Sequence, residues 1–495
     1  MIRPIRATLL AACLLAPLAV RAQTLEIATD QSPVGLDPHI ATAFSTALID
    51  SAIYEGLTAI DAGLRVVPAL AASWTVSADG KVYVFKLRDG ANFHNGRAMV
   101  PADIEANIAR VRDPKTGSPF ASRFTSITKV ETGADTVTIT LEQPQAAFLG
   151  QLAGLAIVAP EAVAELGRKP VGTGPFKLVS WIPDTAITLE RHTGYWEPGL
   201  PKLAAVKFNI VPDAATRQIG VASGTYRMLP SLDAATATAL AGAPGVTLLQ
   251  AQDLAYSVLG LNVTKAPFDK PEVREAFNMA IDRAQLVQAA YFGRGVPGGP
   301  LSPALTSWAL PVSDFPCYKP NAEGAKKKLA EAGVTLPLKV TLNVLGSLPI
   351  VVDVAQVVQA QLNKAGFAVT LNVQEQGKFI ADWRASNFEG FVSLNGGSPD
   401  PDDYFGRTFQ TGGATNVFKY SNPEIDQLLN DGRVETNTAK RKAIYDKAQR
   451  ILACTGPAMA LAYGTLFTAV RDDVAGFTPL ATRSLRSLRE TSIGK

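Results

Sequence analysis

The chain has 495 residues, of which 47% are hydrophobic and 18% are charged, and its formal net charge is +3. This length and apolar content exceed what one ordinary domain needs, and they predict a globular protein with two or more hydrophobic cores. The charge is nearly balanced and forms no basic cluster, which excludes the electrostatic footprint of a nucleic-acid-binding protein.

The first 22 residues have the pattern of an export signal. Arg3 and Arg6 form a basic start, residues 7–20 an apolar run, and residues 20–22 a cleavage site before Gln23. The apolar run is shorter than the roughly 20 residues that a membrane-spanning helix needs. The sequence therefore predicts a signal peptide over residues 1–22 and an exported, periplasmic chain. Lipid anchoring at Cys13, which follows Leu10-Ala11-Ala12, is the open alternative.

Removal of the predicted signal peptide changes the number of charged residues and of cysteines. The signal contains three arginines and no acid, so the remaining chain carries 44 basic and 44 acidic side chains. Cys317 and Cys454 are the cysteines that remain, and an even pair in an oxidising compartment is typical of a disulfide. We predict this bridge, with two separately buried thiols as the alternative.

Helical and strand patterns alternate along the chain. Residues 137–141 and 206–210 alternate apolar and polar side chains, as half-buried strands do. The stretch PEVREAFNMAI from Pro271 has helical spacing, and proline suits the first position of a helix. Residues 293–303 are dense in proline and glycine and predict a loop. The sequence therefore indicates a mixed α/β protein.

One strand–helix–strand unit is especially clear. LKVTLNVLG from Leu338 alternates, VVDVAQVVQAQLNKAGF carries an apolar helix face that ends near Gly366, and AVTLNV alternates again. Such a unit predicts two parallel strands joined by a helix. Asn422 and Pro423 predict the start of a later helix.

Catalytic and metal motifs are missing from the sequence. His39, His94 and His192 are isolated from one another and from the cysteines, so we expect no metal. GTGPF at residues 172–176 lacks the Gly-Lys-Ser/Thr ending of a phosphate loop, and no nucleophile elbow occurs. The sequence predicts neither an enzyme nor a bound cofactor.

Three aspartates lie close together in NGGSPDPDDYF, residues 395–405. Asp400, Asp402 and Asp403 do not have the spacing of a calcium loop. We expect them to cap turns and helix starts instead.

Five stretches recur in one order across nearly the whole chain: LDPHIATAFSTALIDSAIYEGL at 36–57, PALAASWTVSADGKVYVFKLRDGANFHNGRAMVPADI at 68–104, VGTGPFKL at 171–178, LGLNVTKAPFDKPEVREAFNMAIDR at 259–283 and PDPDDYF at 399–405. In these stretches the chain resembles the bacterial extracellular solute-binding protein family 5, the dipeptide, oligopeptide and nickel receptors of ABC importers.

The resemblance implies an α/β, two-lobed periplasmic-binding-protein fold of type II, cluster C, with an extra N-terminal subdomain. Lobe I would comprise residues 24–260 plus 471–495, with the subdomain at about 65–185, and lobe II residues 261–470. Two chain crossings, near residues 260–264 and 469–474, would form the hinge.

The implied function is that of an extracytoplasmic receptor that captures a small organic solute or peptide between its lobes. A monomeric receptor would then deliver the solute to an ABC permease, which works with an ATPase. A ligand receptor for a chemosensory partner and a secreted hydrolase are the alternatives.

The resemblance also implies where the solute binds. In peptide-binding members an aspartate three positions before Asp400 holds the peptide ammonium, and this chain has Gly397 there. We therefore expect the usual anchor to be missing and Asn395, Gly397 and Ser398 to face the ligand. The further candidates for the cleft are Phe44, Tyr256, Trp308, Trp383 and Arg384. Core packing is the alternative for the aromatic residues, and a solvated helix face is the alternative for the arginine.

Overall fold

The structure of the protein is a computed structural model, and it describes residues 24–494. The predicted signal peptide and the lipid alternative at Cys13 lie outside the described residues. The strands are β1 (Thr24–Thr29), β2 (Thr58–Ile60), β3 (Val66–Pro68), β4 (Ala71–Val76), β5 (Val82–Leu87), β6 (Ile127–Thr132), β7 (Thr136–Leu141), β8 (Phe176–Ile182), β9 (Ala186–Arg191), β10 (Ala205–Ile210), β11 (Met228–Leu232), β12 (Val246–Leu261), β13 (Gly295–Pro297), β14 (Leu338–Leu345), β15 (Phe367–Gln374), β16 (Gly390–Asn395), β17 (Ala458–Arg471), β18 (Val474–Ala475) and β19 (Ser492–Ile493).

The helices are α1 (Phe44–Ile53), α2 (Pro101–Arg112), α3 (Phe148–Ala153), α4 (Ala214–Ser223), α5 (Ala234–Leu240), α6 (Pro271–Ala280), α7 (Arg283–Ala290), α8 (Ala322–Glu331), α9 (Pro349–Lys364), α10 (Gln376–Arg384), α11 (Pro401–Phe409), α12 (Pro423–Val434) and α13 (Thr438–Thr455).

The two lobes share one mixed sheet. Its strand order is β15-β14-β16-β12-β17-β11-β1-β10-β9-β8, with β13 paired to β17. The long strands β12 and β17 pair with each other along most of their length. The second half of β12 pairs with β16 of lobe II, whereas the end of β17 pairs with β11 of lobe I. Both lobes are therefore built on the same pair of strands.

Strand β12 gains β16 as a second neighbour from Tyr256 onward. The ladder between β12 and β17 is irregular between Gln252 and Tyr256, and Gly260 already pairs with Phe391 of β16. The predicted crossing at residues 260–264 begins at the end of the part of β12 that pairs with β16. A strand that keeps pairing through a bulge has no turn residues in its sequence, so the pattern does not reveal where the lobes meet.

The predicted crossover unit is confirmed. β14 and β15 pair in parallel, with Leu338 opposite Phe367, and α9 connects them. The buried face of α9 contains Val351, Val354, Ala355, Val358 and Leu362. Each valine or leucine buried in this way stabilises the fold by about 1.5–3 kcal/mol, so the helix is held mainly by packing on the sheet.

The other predicted elements have mixed outcomes. Residues 137–141 and 206–210 form strands, and a helix begins at Pro271, as predicted. The predicted loop at residues 293–303 contains the short strand β13, because residues 295–297 pair with β17. The backbone hydrogen bonds of β13 are made with a strand that is distant in sequence, and local composition does not predict such a pairing.

A second, antiparallel sheet has the order β4-β5-β7-β6. It packs with α2 around its own apolar core, which includes Phe85, Ile104, Ile139 and Phe148. This sheet lies within the range predicted for the extra subdomain. The boundaries of that subdomain and of the two lobes stay predictions.

Cys317 and Cys454 are joined by a disulfide in lobe II, with their sulfur atoms 2.05 Å apart. Cys317 is buried beside Phe315, Tyr318 and Ala453, while Cys454 lies at the end of α13. The bridge therefore ties the loop before α8 to the last helix of the lobe. The alternative of two separate thiols does not describe this structure.

Candidate functional site

A cavity of about 990 Å³ opens between the two lobes. Its volume lies at the upper end of the range of small-molecule sites, roughly 300–1,000 Å³. Lobe I contributes α1, α3 and loops around residues 119–126 and 143–145, and the C-terminal segment adds Thr482, Ser484 and Arg486. Lobe II contributes residues 397–399, one side of α11, the turn at residues 413–415, and Arg433. The cavity has the size of a site for a short peptide or another small organic solute.

Helix α1 presents one face to the cavity, through Ala47, Asp50, Ser51 and Tyr54. These residues are spaced three or four positions apart, so they lie on one side of the helix. The Tyr54 hydroxyl donates to the Leu36 carbonyl over 2.8 Å, and the Ser51 hydroxyl donates to Leu48 over 2.7 Å. Two of the polar groups of this face are thus engaged by the protein itself.

The three clustered aspartates have structural partners. Asp400 caps α11 by accepting from the Asp402 backbone N–H over 2.8 Å. Its two carboxylate oxygens also accept from the Arg441 guanidinium, both over 2.7 Å. Asp402 pairs with Arg433 at 3.3 Å, but burial raises its pKa to about 6. As the sequence predicts, this segment forms a helix start.

Asp403 reaches across the cavity to lobe I. Its carboxylate accepts from the Gln151 side-chain amide over 2.9 Å and from the Ser398 hydroxyl over 3.3 Å. Burial raises the pKa of Asp403. A second bridge joins the Ala146 N–H to the Arg433 carbonyl over 3.0 Å. The lobes are therefore hydrogen-bonded to each other along the cavity.

The cavity wall contains as many basic as acidic side chains. The arginines are Arg123, Arg407, Arg433 and Arg486, and the acids are Asp50, Glu55, Asp402 and Asp403. Most have protein partners: Glu55, for example, accepts from the Tyr195 hydroxyl and the Trp196 indole, both over 2.8 Å. Arg123, Arg486 and Asp50 make no side-chain hydrogen bond or ion pair within the described range 24–494. These three are therefore charged side chains of the wall without a hydrogen-bond or ion-pair partner in that range.

The structure places two of the predicted site residues, Gly397 and Ser398, in the cavity wall. Asn395 stands at the end of β16, where its amide donates to the Tyr256 hydroxyl over 2.9 Å. Tyr256 is 1% exposed and packs between Tyr404 and Tyr463 in the lobe II core. These two residues support the wall from behind.

The other predicted residues lie away from the cavity wall. Trp308 packs edge-on against Tyr445, and Trp383 packs against the lobe II core. Arg384 is exposed in the last turn of α10. Phe44 is 66% exposed at the start of α1, with the Arg483 guanidinium 5.0 Å from its ring centre. In this structure core packing accounts for the tryptophans and a solvated helix end for the other two, so none of the four lines this cavity; their contact with a ligand stays a prediction.

Sequence reasoning did not single out Asp50 or Arg486. Asp50 occupies the stripe of α1 that also buries Thr46, Ile49 and Ile53. An acid on the buried face of an amphipathic helix is a readable signal, because an unpaired carboxylate there is costly. Arg486 lies in the C-terminal segment, and the residues around it in sequence do not indicate that this segment packs near α1.

Gly397 is required by close packing as well as by its place in the wall. A Cβ atom at this position would lie 2.7 Å from the carbonyl carbon of Leu254 in β12. Real Cβ atoms do not approach backbone so closely. The loop at Gly397 therefore approaches β12 so closely that no space is left for an aspartate side chain.

We expect Gly397→Asp to lower the free energy of unfolding by about 1–3 kcal/mol, because overpacking pushes β12 away. Urea denaturation of the unliganded protein measures the loss. Gly396→Ala is the matched control, since no atom lies within 4 Å of its Cβ position, and it should stay within about 0.5 kcal/mol. If Gly397→Asp is as stable as wild type, β12 can shift to make room for the added side chain.

The described residues contain no metal-type cluster and no helix suited to crossing a membrane. In the range 24–494, no three or more His, Cys, Asp or Glu side chains are grouped so as to hold a metal ion. Over the same range, no helix has both the length and the apolar character needed to cross a bilayer.

The fold and the cavity between lobes define a two-lobed solute-binding protein. The family model "Bacterial extracellular solute-binding proteins, family 5 Middle" matches residues 65–416. The chain belongs to this family of solute-binding receptors, as its sequence stretches suggest.

Individual relatives match over almost the entire chain. The glutathione-binding protein GsiB of Escherichia coli is 30% identical, with 94% of each chain covered. AgaA of Agrobacterium tumefaciens, solved with agropinic acid, is 28% identical with a TM-score of 0.81, covering 96% of this chain and 99% of its own. The periplasmic binding protein DppA of Helicobacter pylori, solved with the peptide STSA, is 26% identical with a TM-score of 0.81, covering 96% and 98%. Family 5 binding proteins bind peptides or small solutes and work with ABC permeases.

Proposed function

We propose that this protein is a periplasmic, monomeric receptor that captures an amphoteric organic acid about the size of a short peptide and passes it unaltered to an ABC permease and its ATPase. The observation that carries the proposal is the cavity between the lobes, whose wall holds four arginines and four acids. Mixed charges in one cavity suit a ligand that carries both signs.

The relatives support this class of solute. Their names or structures record glutathione, agropinic acid and the peptide STSA as ligands. Each compound has at least one carboxylate as well as amide or hydroxyl groups. The unpaired charged side chains of the cavity wall can form ion pairs with the carboxylates, and its amide groups can hydrogen-bond to the amides or hydroxyls. Import by capture needs no catalytic set, so a hydrolase is the less supported alternative.

Arg486 is the proposed partner for a solute carboxylate. It is half-buried in the cavity wall, and burial together with the neighbouring Arg489 lowers its pKa. An incoming carboxylate would give the Arg486 guanidinium the ion-pair partner that it does not have within the described range 24–494. Arg123, which is exposed across the same cavity, is a second donor for an acidic group.

Binding is tested by thermal unfolding of the mature chain with glutathione, agropinic acid and the peptide STSA, and with glucose as a neutral control. A compound at 100 times its dissociation constant is expected to stabilise the protein by about 2.7 kcal/mol. Arg486→Gln should reduce that stabilisation for acidic compounds. Chromatography of the released solute should recover it unchanged.

Two results would contradict the proposal. If none of the three acidic compounds shifts the melting temperature, the solute class is wrong. If the recovered compound is cleaved in proportion to the amount of protein, the chain is a hydrolase. Reconstitution with candidate permease and chemoreceptor partners then separates transport from sensing, because the loaded receptor stimulates ATP hydrolysis in the first case alone.

A further inference from the structure

Asp50 is a buried acid without a partner in the cavity wall. It lies on α1, is 8% exposed, and lines the space between the lobes. Its Oδ1 atom is buried and accepts no hydrogen bond from any residue in the described range 24–494. A carboxylate in this state is costly to the fold, since desolvation is not offset by a donor.

The polar groups around Asp50 are already used or repel it. Thr46 accepts from the Val34 N–H over 3.2 Å, and the Ser51 hydroxyl accepts from the Leu485 N–H over 2.8 Å. The nearby Asp37 is held by the Arg110 guanidinium, with contacts of 3.0 and 2.6 Å, so that arginine is occupied. Burial raises the pKa of Asp50 well above its usual range, and the negative charge of Asp37 raises it further.

We propose that Asp50 receives the protonated amine of the solute, in place of the ammonium anchor that is missing at Gly397. The assignment rests on the proposed function and adds the chemical class of the ligand: an amino-bearing organic acid. An ammonium group donates hydrogen bonds and brings the positive charge that this carboxylate lacks. Charge-assisted bonds of this kind are short and strong in a partly desolvated site.

The two charges of such a solute would meet different parts of the wall. Asp50 belongs to α1, whereas Arg486 belongs to the C-terminal segment, and both line the same cavity. The amine would therefore be bound by lobe I, and lobe II would close over it through Gly397, Ser398 and α11. This differs from an anchor at position 397, which would hold the amine from the lobe II side.

Asp50→Asn tests the assignment because asparagine keeps the shape and removes the charge. Titration calorimetry should compare glutathione and the peptide STSA with their N-acetylated forms on wild type, on Asp50→Asn and on the exposed control Asp30→Asn. The free-amine compounds should bind Asp50→Asn about 10- to 100-fold more weakly than wild type, as loss of a charged hydrogen bond implies. The N-acetylated forms should bind Asp50→Asn and wild type equally.

A second readout separates a binding role from a purely structural one. The melting temperature of unliganded Asp50→Asn should equal or exceed that of wild type, because the variant loses an uncompensated carboxyl group. A residue that holds the fold together would instead lower it. The control Asp30→Asn should leave both affinity and melting temperature unchanged.

The outcomes distinguish this assignment from the proposed function. If wild type binds neither the acidic panel nor these peptides, the proposed function fails, and the assignment fails with it. If wild type binds free-amine compounds but Asp50→Asn binds them equally well, only the assignment is overturned. It is also overturned if wild type prefers the N-acetylated forms, since Asp50 would then serve as a neutral hydrogen-bond donor.

Discussion

Replacing Arg441 with alanine is expected to lower the free energy of unfolding by about 3–5 kcal/mol, because it leaves the half-buried Asp400 carboxylate without its partner and removes a buried, fully bonded guanidinium. Arg441 is 4% exposed, and its guanidinium makes two bonds of 2.7 Å to Asp400. It also donates to the Gly432 carbonyl over 2.8 Å and lies 5.1 Å from the centre of the Trp308 ring. One side chain thus connects α11, α12 and α13 behind the cavity.

Urea denaturation of the unliganded protein measures this loss. The control is Lys169→Ala, which removes an exposed ion pair with Glu165 and should change stability by less than about 1 kcal/mol. Combining Arg441→Ala with Asp400→Asn should recover part of the loss, since the unpaired charge disappears. A single-variant loss below 1 kcal/mol would mean that water reaches Asp400 and compensates for the missing arginine.

Removing the disulfide is expected to destabilise the protein by a similar amount. Cys317 and Cys454 are 137 positions apart, and closing so long a loop restricts the unfolded chain. The chain-entropy account gives about 4–5 kcal/mol for a loop of this length. The double variant Cys317→Ser with Cys454→Ser should therefore unfold at a much lower denaturant concentration than the oxidised wild type.

Reductant supplies the matched control for the disulfide. Dithiothreitol should shift wild type towards the double variant and leave the double variant itself unchanged. Thiol labelling of the denatured, unreduced protein should find neither cysteine free. If reduced and oxidised wild type unfold at the same denaturant concentration, the bridge does not contribute to stability.

The local elements of this fold could be predicted because their signals are local. The alternation in β14 and β15 and the apolar face of α9 occur within short stretches, as does the proline that begins α6. β13 could not be predicted in this way. Its strand character comes from pairing with β17, which lies more than 150 positions away in the chain.

Only part of the candidate site could be predicted. The segment around Gly397 and Ser398 was predicted from the family resemblance, by its place three positions before Asp400, and it lines the cavity. The sequence could not show whether the aromatic candidates line the cavity or the core. A tyrosine or tryptophan such as Tyr256 or Trp308 occurs in both surroundings, and the neighbouring residues in sequence do not distinguish them. Their surroundings are supplied by residues such as Tyr463 and Tyr445, far along the chain.

The sequence alone determined the class of the protein, because secondary structure and family stretches are encoded in neighbouring residues. The tertiary structure alone decided which charged groups remain free in the cavity. Asp50 and Arg486 are separated by more than 400 positions, yet they line one wall. Whether a charge is paired depends on every group that folding brings within a few ångströms, and no local pattern records that set.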